Sequence, residues 1–463
     1  MKRASVSLGT SSEKKASIGF FNLGCPKNQV DSEHMASVLL SAGFTLAPRP
    51  EEADAIIVNT CAFIGDAVEE SVEAVFQACA LKRHGRCRAV VMAGCLAQRY
   101  GRKLWETMPE VDAFVGLDRL DSVGTVLLRA LRGSRKFDVP RNAKKTLNTP
   151  ERKVLFTGSP IAYVKIAEGC DHKCGFCIIP AIRGRYRSRP MRDILAEAGD
   201  LLSRGIRELV LVSQDTTLYG RDLPGNRGLP GLLKELGRQG GKFWIRLLYG
   251  HPAHITRPIL EAMSETPQVC KYLDLPVQHS HPAMLKAMRR EDGKLCPVAD
   301  MPRFLRAEIP DVTLRTTVLT GYPGEKEEHF QHLLEYVKTS RFNHLGVFTY
   351  SPQEGTRAIE LPQTVPEAIA EERRRRLMLA QKTIVRDMGR KLLGREEEIL
   401  IERKTAGSKS RWIGRSARHA PGVDGTVRVS GLPDSVNWAG AFVRVRYAAV
   451  NGYDMDAVSV RED

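Results

Sequence analysis

Three cysteines stand at C-x3-C-x2-C spacing, in Cys170-Asp-His-Lys-Cys174-Gly-Phe-Cys177. Three closely spaced thiolates bind three corners of a cubic iron–sulfur cluster and leave the fourth iron open to a cofactor. The alternative is structural zinc, which requires four ligands. No further cysteine lies at matching spacing, and His172, the other candidate, sits inside a very short loop. Three more cysteines, Cys25, Cys61 and Cys95, each follow a short apolar run and are spaced 36 and 34 residues apart. Residues just past the strands of an open parallel sheet converge on its carboxyl edge, where ligands bind. The alternative is three small buried residues at strand ends, because cysteine packs like a small hydrophobe. Cys79, Cys87, Cys270 and Cys296 read as spectators.

The elements that must position these thiols follow from the apolar pattern. Strand runs at 18–23, 55–60, 89–93 and 113–116 alternate with helical patterns at 32–42, 67–80 and 96–108. That alternation predicts an open parallel α/β sheet over residues 18–131, after a polar tail at 1–17. Residues 132–158 form a basic linker; from 129 to 153 nine Lys or Arg face only Asp138 and Glu151, and Pro140 and Pro150 break any helix there. Over residues 159–392 six strands are expected, at 162–166, 208–212, 243–248, 272–275, 312–319 and 344–350, each followed by a helix. Six β/α units are too few for a closed eight-fold barrel and indicate a partial one. The last helix, 366–393, is expected to end at Gly394. Residues 393–463 switch to strand patterns at 398–402, 425–429 and 442–446, as in a small β-barrel.

The 463 residues carry a net charge of +16, with 42% hydrophobic residues, so the chain is neither disordered nor fibrous. No apolar run reaches the roughly 18 residues of a membrane span, and the polar N-terminus has no signal-peptide core. A cytoplasmic protein is expected, with the charge pointing towards a nucleic-acid or nucleoprotein partner. From 391 to 463 the counts are twelve basic and ten acidic residues, a net of +2. A barrel dedicated to RNA would be more basic. Five arginines, Arg183, Arg185, Arg187, Arg189 and Arg192, crowd ten residues after the C-x3-C-x2-C motif, as a cofactor-facing set or a solvated loop. Ser213 and Gln214 follow the second core strand and Gln278 and His279 the fourth, positions where such folds face a cofactor; a packed histidine is the alternative for His279.

With Phe176 before its third cysteine, the motif is similar to the radical S-adenosylmethionine signature. An α/β domain with three further cysteines before it, and a small barrel after it, resembles the methylthiotransferases, whose barrel is called TRAM. The resemblance runs from about residue 18 to the end. Residues 23–33 (Leu-Gly-Cys-Pro-Lys-Asn-Gln-Val-Asp-Ser-Glu) resemble the opening motif of the RimO branch. Residues 58–64, 94–100, 163–170, 177–184, 275–279 and 350–355 also fit that branch. The MiaB-like branch, which acts on transfer RNA, usually has Gly-Cys-Gln-Met-Asn at the first cysteine and Gln-Ser-Gly after Pro-Val; neither occurs here. Tyr322 and Lys326 stand where Phe and Thr are common.

The resemblance implies two [4Fe–4S] clusters, one on Cys25, Cys61 and Cys95 and one on Cys170, Cys174 and Cys177. It implies S-adenosylmethionine at the second, with Phe176, Ser213, Gln214 and Gln278 as cofactor contacts. The implied reaction is methylthiolation of an aspartate β-carbon in the twelfth small-subunit ribosomal protein, free or in the subunit, with an electron donor as a further partner. The enzyme is expected to be monomeric and independent of membranes; nucleic acid is expected at most as a neighbour, not as the substrate. No single catalytic residue is assigned. The competing readings are MiaB-like methylthiolation of isopentenyladenosine in transfer RNA, and a non-catalytic zinc and RNA-binding protein.

Overall fold

In the N-terminal sheet the central strands are buried along their whole length and mostly apolar, as strands covered on both faces are. The computed structural model describes residues 16–141, 152–158, 160–225, 227–290, 293–405 and 411–460. Most of the expected polar tail and the middle of the expected linker, with Pro150, lie outside the described residues. The strands are β1 (Ser17–Asn22), β2 (Thr45–Leu46), β3 (Ala55–Thr60), β4 (Ala89–Gly94), β5 (Ala113–Val115) and β6 (Lys136–Asp138). They pair in the order β2-β1-β3-β4-β5-β6, all parallel. Every residue of β3 and β4 is buried. Helices α1 (Pro26–Ser41), α2 (Gly65–His84), α3 (Cys95–Thr107) and α4 (Val123–Leu131) connect the longer strands. The sixth strand falls within the basic stretch read as linker and adds an edge to the sheet.

The chain divides into two compact units. The second holds residues 155–463 and the short piece 63–65. Its core strands are β7 (Ile161–Lys165), β10 (Glu208–Val212), β11 (Trp244–Leu247), β12 (Tyr272–Asp274), β13 (Thr313–Thr320) and β14 (His344–Thr349). A short antiparallel pair, β8 (Ala167–Glu168) with β9 (Arg187–Ser188), lies between the first two. Strands β7, β10 and β11 form one parallel group and β12, β13 and β14 another. Backbone hydrogen bonds from Ile245 N to Gln268 O and from Cys270 N to Ile245 O carry the arc across the junction. The result is the six-stranded partial barrel expected from six β/α units.

Helices α5 (Ile179–Arg183), α6 (Met191–Ser203), α7 (Gly228–Gly237), α8 (Arg257–Glu265), α9 (Pro282–Ala287), α10 (Met301–Glu308), α11 (Glu327–Ser340) and α12 (Glu367–Arg390) follow the strands. One apolar core joins strand residues such as Val164, Leu211 and Val318 to Leu377 and Ile384 of α12. Helix α12 ends at Arg390, before the expected stop. Gly394, at φ +77°, instead turns the chain into the terminal barrel, its N–H donating to Tyr447 O.

The terminal barrel is closed by five strands: β15 (Glu396–Lys404), β16 (Trp412–Ser416), β17 (Val427–Ser430), β18 (Phe442–Asn451) and β19 (Asp454–Ser459). Alternate residues Val443, Val445 and Tyr447 of β18 fill its interior. The segment between β16 and β17 inserts into the floor of the partial barrel. Tyr163 and Tyr272 donate to Pro421 O and Asp424 Oδ2, and Arg246 Nη1 donates to Ala417 O. Among the described residues, no helix is long and apolar enough to cross a membrane.

Candidate functional site

Cys25, Cys61 and Cys95 stand directly after β1, β3 and β4, three adjacent strands of one parallel sheet. Cys25 caps α1, with Pro26 at the first helical position, where its missing N–H is harmless. Gly24 before it has φ +85°, and a Cβ there would lie 2.8 Å from Cys61 Cβ. The first two cysteine loops therefore touch, and only glycine permits it. Cys61 is fixed by Ser71, whose hydroxyl accepts from Cys61 N and donates to Cys61 O, both at 2.9 Å. Cys95 opens α3 after Gly94, whose φ is +90° and whose absent Cβ leaves room for Asn59 and Thr60.

Asn28 joins the three segments. Its Nδ2 donates to Leu23 O at 3.0 Å and Thr60 O at 2.9 Å, its N–H donates to Cys25 O, and Cys95 Sγ donates to its Oδ1 at 3.7 Å. Asn59 Nδ2 in turn donates to Asn28 O and to Ser32 Oγ. No accessible surface remains on Asn28. Sequence reading passed over this residue. Its signal was an amide three positions after Cys25, on the first turn of the helix that the cysteine caps.

In the second unit, the motif loop leaves the C-terminal end of β7 inside the β8–β9 pair. Gly169 has φ +81°, and a Cβ there would lie 2.1 Å from Arg185 O. Cys170 N donates to Gly184 O and Gly175 N to Met288 O, so the loop is tied at both ends. Burial pushes the Cys170 and Cys177 thiols up to about 12, and the neighbouring Cys174 adds to this. The positive charge of Arg290 opposes both shifts, and its Nη1 donates to Cys174 Sγ at 3.7 Å. Cys170 is buried and Cys174 and Cys177 are half-buried; three thiolates crowded beside one guanidinium would repel one another, and are a donor set that a cationic iron centre relieves.

The other predicted positions surround this loop. Phe176 packs against Met284, Met288, Leu319, Tyr322 and Ala358. Tyr322 fills space left by Gly175 and donates to Ala287 O, which accounts for a tyrosine where phenylalanine is common. Gln214 Nε2 donates to Glu168 Oε1 at 3.0 Å, and Ser213 Oγ accepts from Asp215 N. Gln278 has a left-handed backbone, φ +70°, and bridges to Val318 at the strand ends. His279 is fully buried against Glu325, a packed histidine.

Glu168 gathers Lys165, Arg183 and Gln214; burial alone would raise its carboxyl, but Arg183 and Lys165 hold it well below the carboxylate range. Asp215 Oδ2 receives His172 Nε2 and His254 Nδ1, each at 2.8 Å. Burial opposes its ionisation, and these two histidines overcome that. Ring nitrogens of His172, His251 and His254 lie within 4.8 Å of one another. His251 and His254 nevertheless stack on His172 at 14° and 25°, so the lone pairs run side by side instead of converging on a metal. His251, His254 and Asp215 brace His172, which lies midway between the first two cysteines of the loop. The arginine-rich stretch splits: Arg183 and Arg189 are buried on Glu168 and Glu197, while Arg185 and Arg192 are solvated.

A six-stranded partial barrel with a thiol trio after its first strand, followed by a five-stranded barrel, defines a radical S-adenosylmethionine protein with a TRAM domain. Family models agree: the Radical SAM superfamily matches residues 164–337, the TRAM domain 393–460, and the uncharacterized protein family UPF0004 17–116. The chain is 43% identical over 440 residues to the ribosomal protein uS12 methylthiotransferase RimO of Desulforamulus reducens, covering 95% of this chain and 98% of that one. It is 44% identical over 410 residues to the protein of the same name in Pelotomaculum thermopropionicum, covering 89% and 92%. In fold it is similar to the radical S-adenosylmethionine methyltransferase TsrM of Kitasatospora setae, with a TM-score of 0.54, 16% identity and 75% and 76% of the two chains covered. The chain belongs to the RimO family and is a radical S-adenosylmethionine methylthiotransferase.

Proposed function

We propose that this enzyme methylthiolates the β-carbon of an aspartate in ribosomal protein uS12, using two [4Fe–4S] clusters and S-adenosylmethionine. The observation that carries the reading is two thiol trios in separate units, the first on the carboxyl ends of three parallel strands and the second on the loop beyond β7. The substrate follows from the relatives, which are ribosomal protein uS12 methylthiotransferases. Cys25, Cys61 and Cys95 hold one cluster, and Cys170, Cys174 and Cys177 the other. When bound, the clusters and S-adenosylmethionine supply the radical that an unactivated C–H bond requires, together with the methylthio group.

The chain's own residues position these groups. Asn28 fixes the first trio before any iron arrives. Gly169 and the β8–β9 pair fix the second, and Phe176 anchors its loop in the apolar cluster. Ser213, Gln214 and Gln278 line the strand ends where the cofactor binds. Gln214 is oriented by Glu168, whose charge is already neutralised by Lys165 and Arg183.

A protein substrate is further supported by the terminal barrel's charge. Several of its surface cations are matched by carboxylates: Arg428 with Asp456, Arg444 and Arg446 sharing Glu396, Lys404 with Asp434. Such a face offers little to a phosphate backbone. An external electron donor and uS12, free or assembled, are the partners this reading requires, in the cytoplasm where ribosomes are made.

Mass spectrometry of uS12 from cells with and without the gene tests the reading. The expected result is one methylthio group on one aspartate, lost with the gene. An unchanged uS12 overturns it. If nucleoside analysis of the same cells shows loss of a methylthio group from transfer RNA instead, the MiaB-like activity takes its place.

A further inference from the structure

Arg290 lies just beyond α9, where the chain turns through Arg289 at φ +49°. A non-glycine residue in that region is strained and persists where its surroundings demand it. The turn brings two adjacent points of the segment onto the motif loop. Met288 O accepts from Gly175 N at 2.7 Å, and Arg290 Nη1 donates to Cys174 Sγ at 3.7 Å. Nη2 donates to Pro276 O at 2.5 Å, just past β12, so the planar guanidinium is held from both ends. Its charge also reaches Cys170 and Cys177. Among the described residues, Asp215 is occupied by His172, His254 and Thr217, and Glu168 by Lys165 and Arg183.

A thiolate-ligated cluster becomes more negative with each electron it accepts. A cationic N–H donor on one of its sulfurs stabilises the reduced form more than the oxidised form and raises the reduction potential. We propose that Arg290 is the counter-cation of the cluster on Cys170, Cys174 and Cys177, a positioning residue whose N–H···S hydrogen bond sets that cluster's reduction potential. This rests on the reading of those three cysteines as cluster ligands. Arginine suits the task because it stays charged when buried and its fork serves Cys174 and Pro276 together.

The test uses full-length wild type, R290K and R290Q, reconstituted anaerobically with iron and sulfide. Iron and sulfide are counted. The paramagnetic signal that changes when S-adenosylmethionine is added is followed through a redox titration. R290Q is expected to keep the wild-type iron and shift to a more negative midpoint, so that its reduced fraction at the wild-type midpoint falls several-fold; R290K should lie between. An R290Q midpoint equal to wild type, with iron intact, overturns the role of Arg290 and leaves the cluster reading standing. If R290Q loses iron, retention in R290K supports the counter-cation, and equal loss in R290K overturns it in favour of a purely structural tie to Pro276. A C170A/C174A/C177A chain that keeps wild-type iron and the S-adenosylmethionine-sensitive signal overturns the cluster reading itself.

Discussion

Arg415 of the terminal barrel and Glu208 at the start of β10 form an ion pair from which water is wholly excluded. Arg246 of β11 donates to the same carboxylate at 2.6 Å, and Arg415 Nη1 donates to His419 O. Burial raises the Glu208 carboxyl, and the two guanidiniums more than reverse this. One acid therefore pairs with a cation on each side of the junction between partial barrel and terminal barrel, and Glu402 supplies the second negative charge, on Arg415.

The two halves of this arrangement are unequal. E208Q leaves the buried Arg246 guanidinium without its counter-ion while Arg415 keeps Glu402, and removing one partner of a buried pair costs about 3–5 kcal/mol. R415A leaves Arg246 to balance Glu208, and the carboxylate it abandons, Glu402, is partly solvated, so it should cost less. Thermal melts of the full chain are expected to rank wild type above R415A and R415A above E208Q. Equal melting temperatures for E208Q and wild type would show that the junction is held by its apolar contacts alone.

Much of this was legible in the sequence because parallel strands covered on both faces read as continuous apolar runs; β3, β4 and β10 are such runs. The cysteines were legible because their spacing equals one β/α unit. Strands β16 and β19 were not, since Trp412–Ser416 is short and contains Gly414, and Asp454–Ser459 places acids on its outer face. Nor could the sequence say which charges are buried. Arg373, inside the charged run Glu371–Arg376 of α12, is buried on Glu325, 48 residues away, at 2.8 Å. Arg183 and Arg189 likewise depend on acids brought in by the fold. Burial of a charge is decided by its partner, and the partner's distance in sequence follows no period.

Asn28 should be indispensable to the first cluster and irrelevant to the second. N28A leaves Leu23 O and Thr60 O without their donor, each at about 1–3 kcal/mol, and frees three loops to part. Reconstituted N28A is expected to carry one cluster's iron fewer than wild type. Cleavage of S-adenosylmethionine should persist while methylthiolation of uS12 falls by about 10–100-fold, the range for losing a residue that orients metal ligands. Full iron with full methylthiolation would reduce Asn28 to packing.

The converse substitution is G169A. The new methyl would meet Arg185 O at 2.1 Å on a backbone at φ +81°, a conformation that costs an L-residue roughly 1–2 kcal/mol even without the clash. The loop before Cys170 must move. G169A is expected to lose the iron of the second cluster and with it cleavage of S-adenosylmethionine, while the iron of the first trio stays. Iron counting and a cleavage assay on the same preparation check this. Undiminished cleavage would mean that the loop tolerates displacement.

Acid should destabilise the second unit before its carboxylates titrate. His279 and His419 are buried and His344 is largely so, and each has its proton affinity lowered chiefly by burial. Glu325 and Asp424 partly offset this at His279 and His344, while Arg415, Arg246 and Arg418 deepen it at His419. A folded-state value below the unfolded value of about 6.5 means that, as pH falls past that value, the unfolded chain takes up protons the folded chain refuses. Stability therefore drops on acidification from about pH 6.5, by up to about 1.4 kcal/mol per pH unit for each such group. The melting temperature at pH 5.5 is expected to lie well below that at pH 7.5. H419N places an amide near the Nδ1 that contacts Ser416 Oγ at 3.0 Å and removes the proton acceptor. It should flatten the slope between pH 7 and 5.5; a slope identical to wild type would remove His419 from the set.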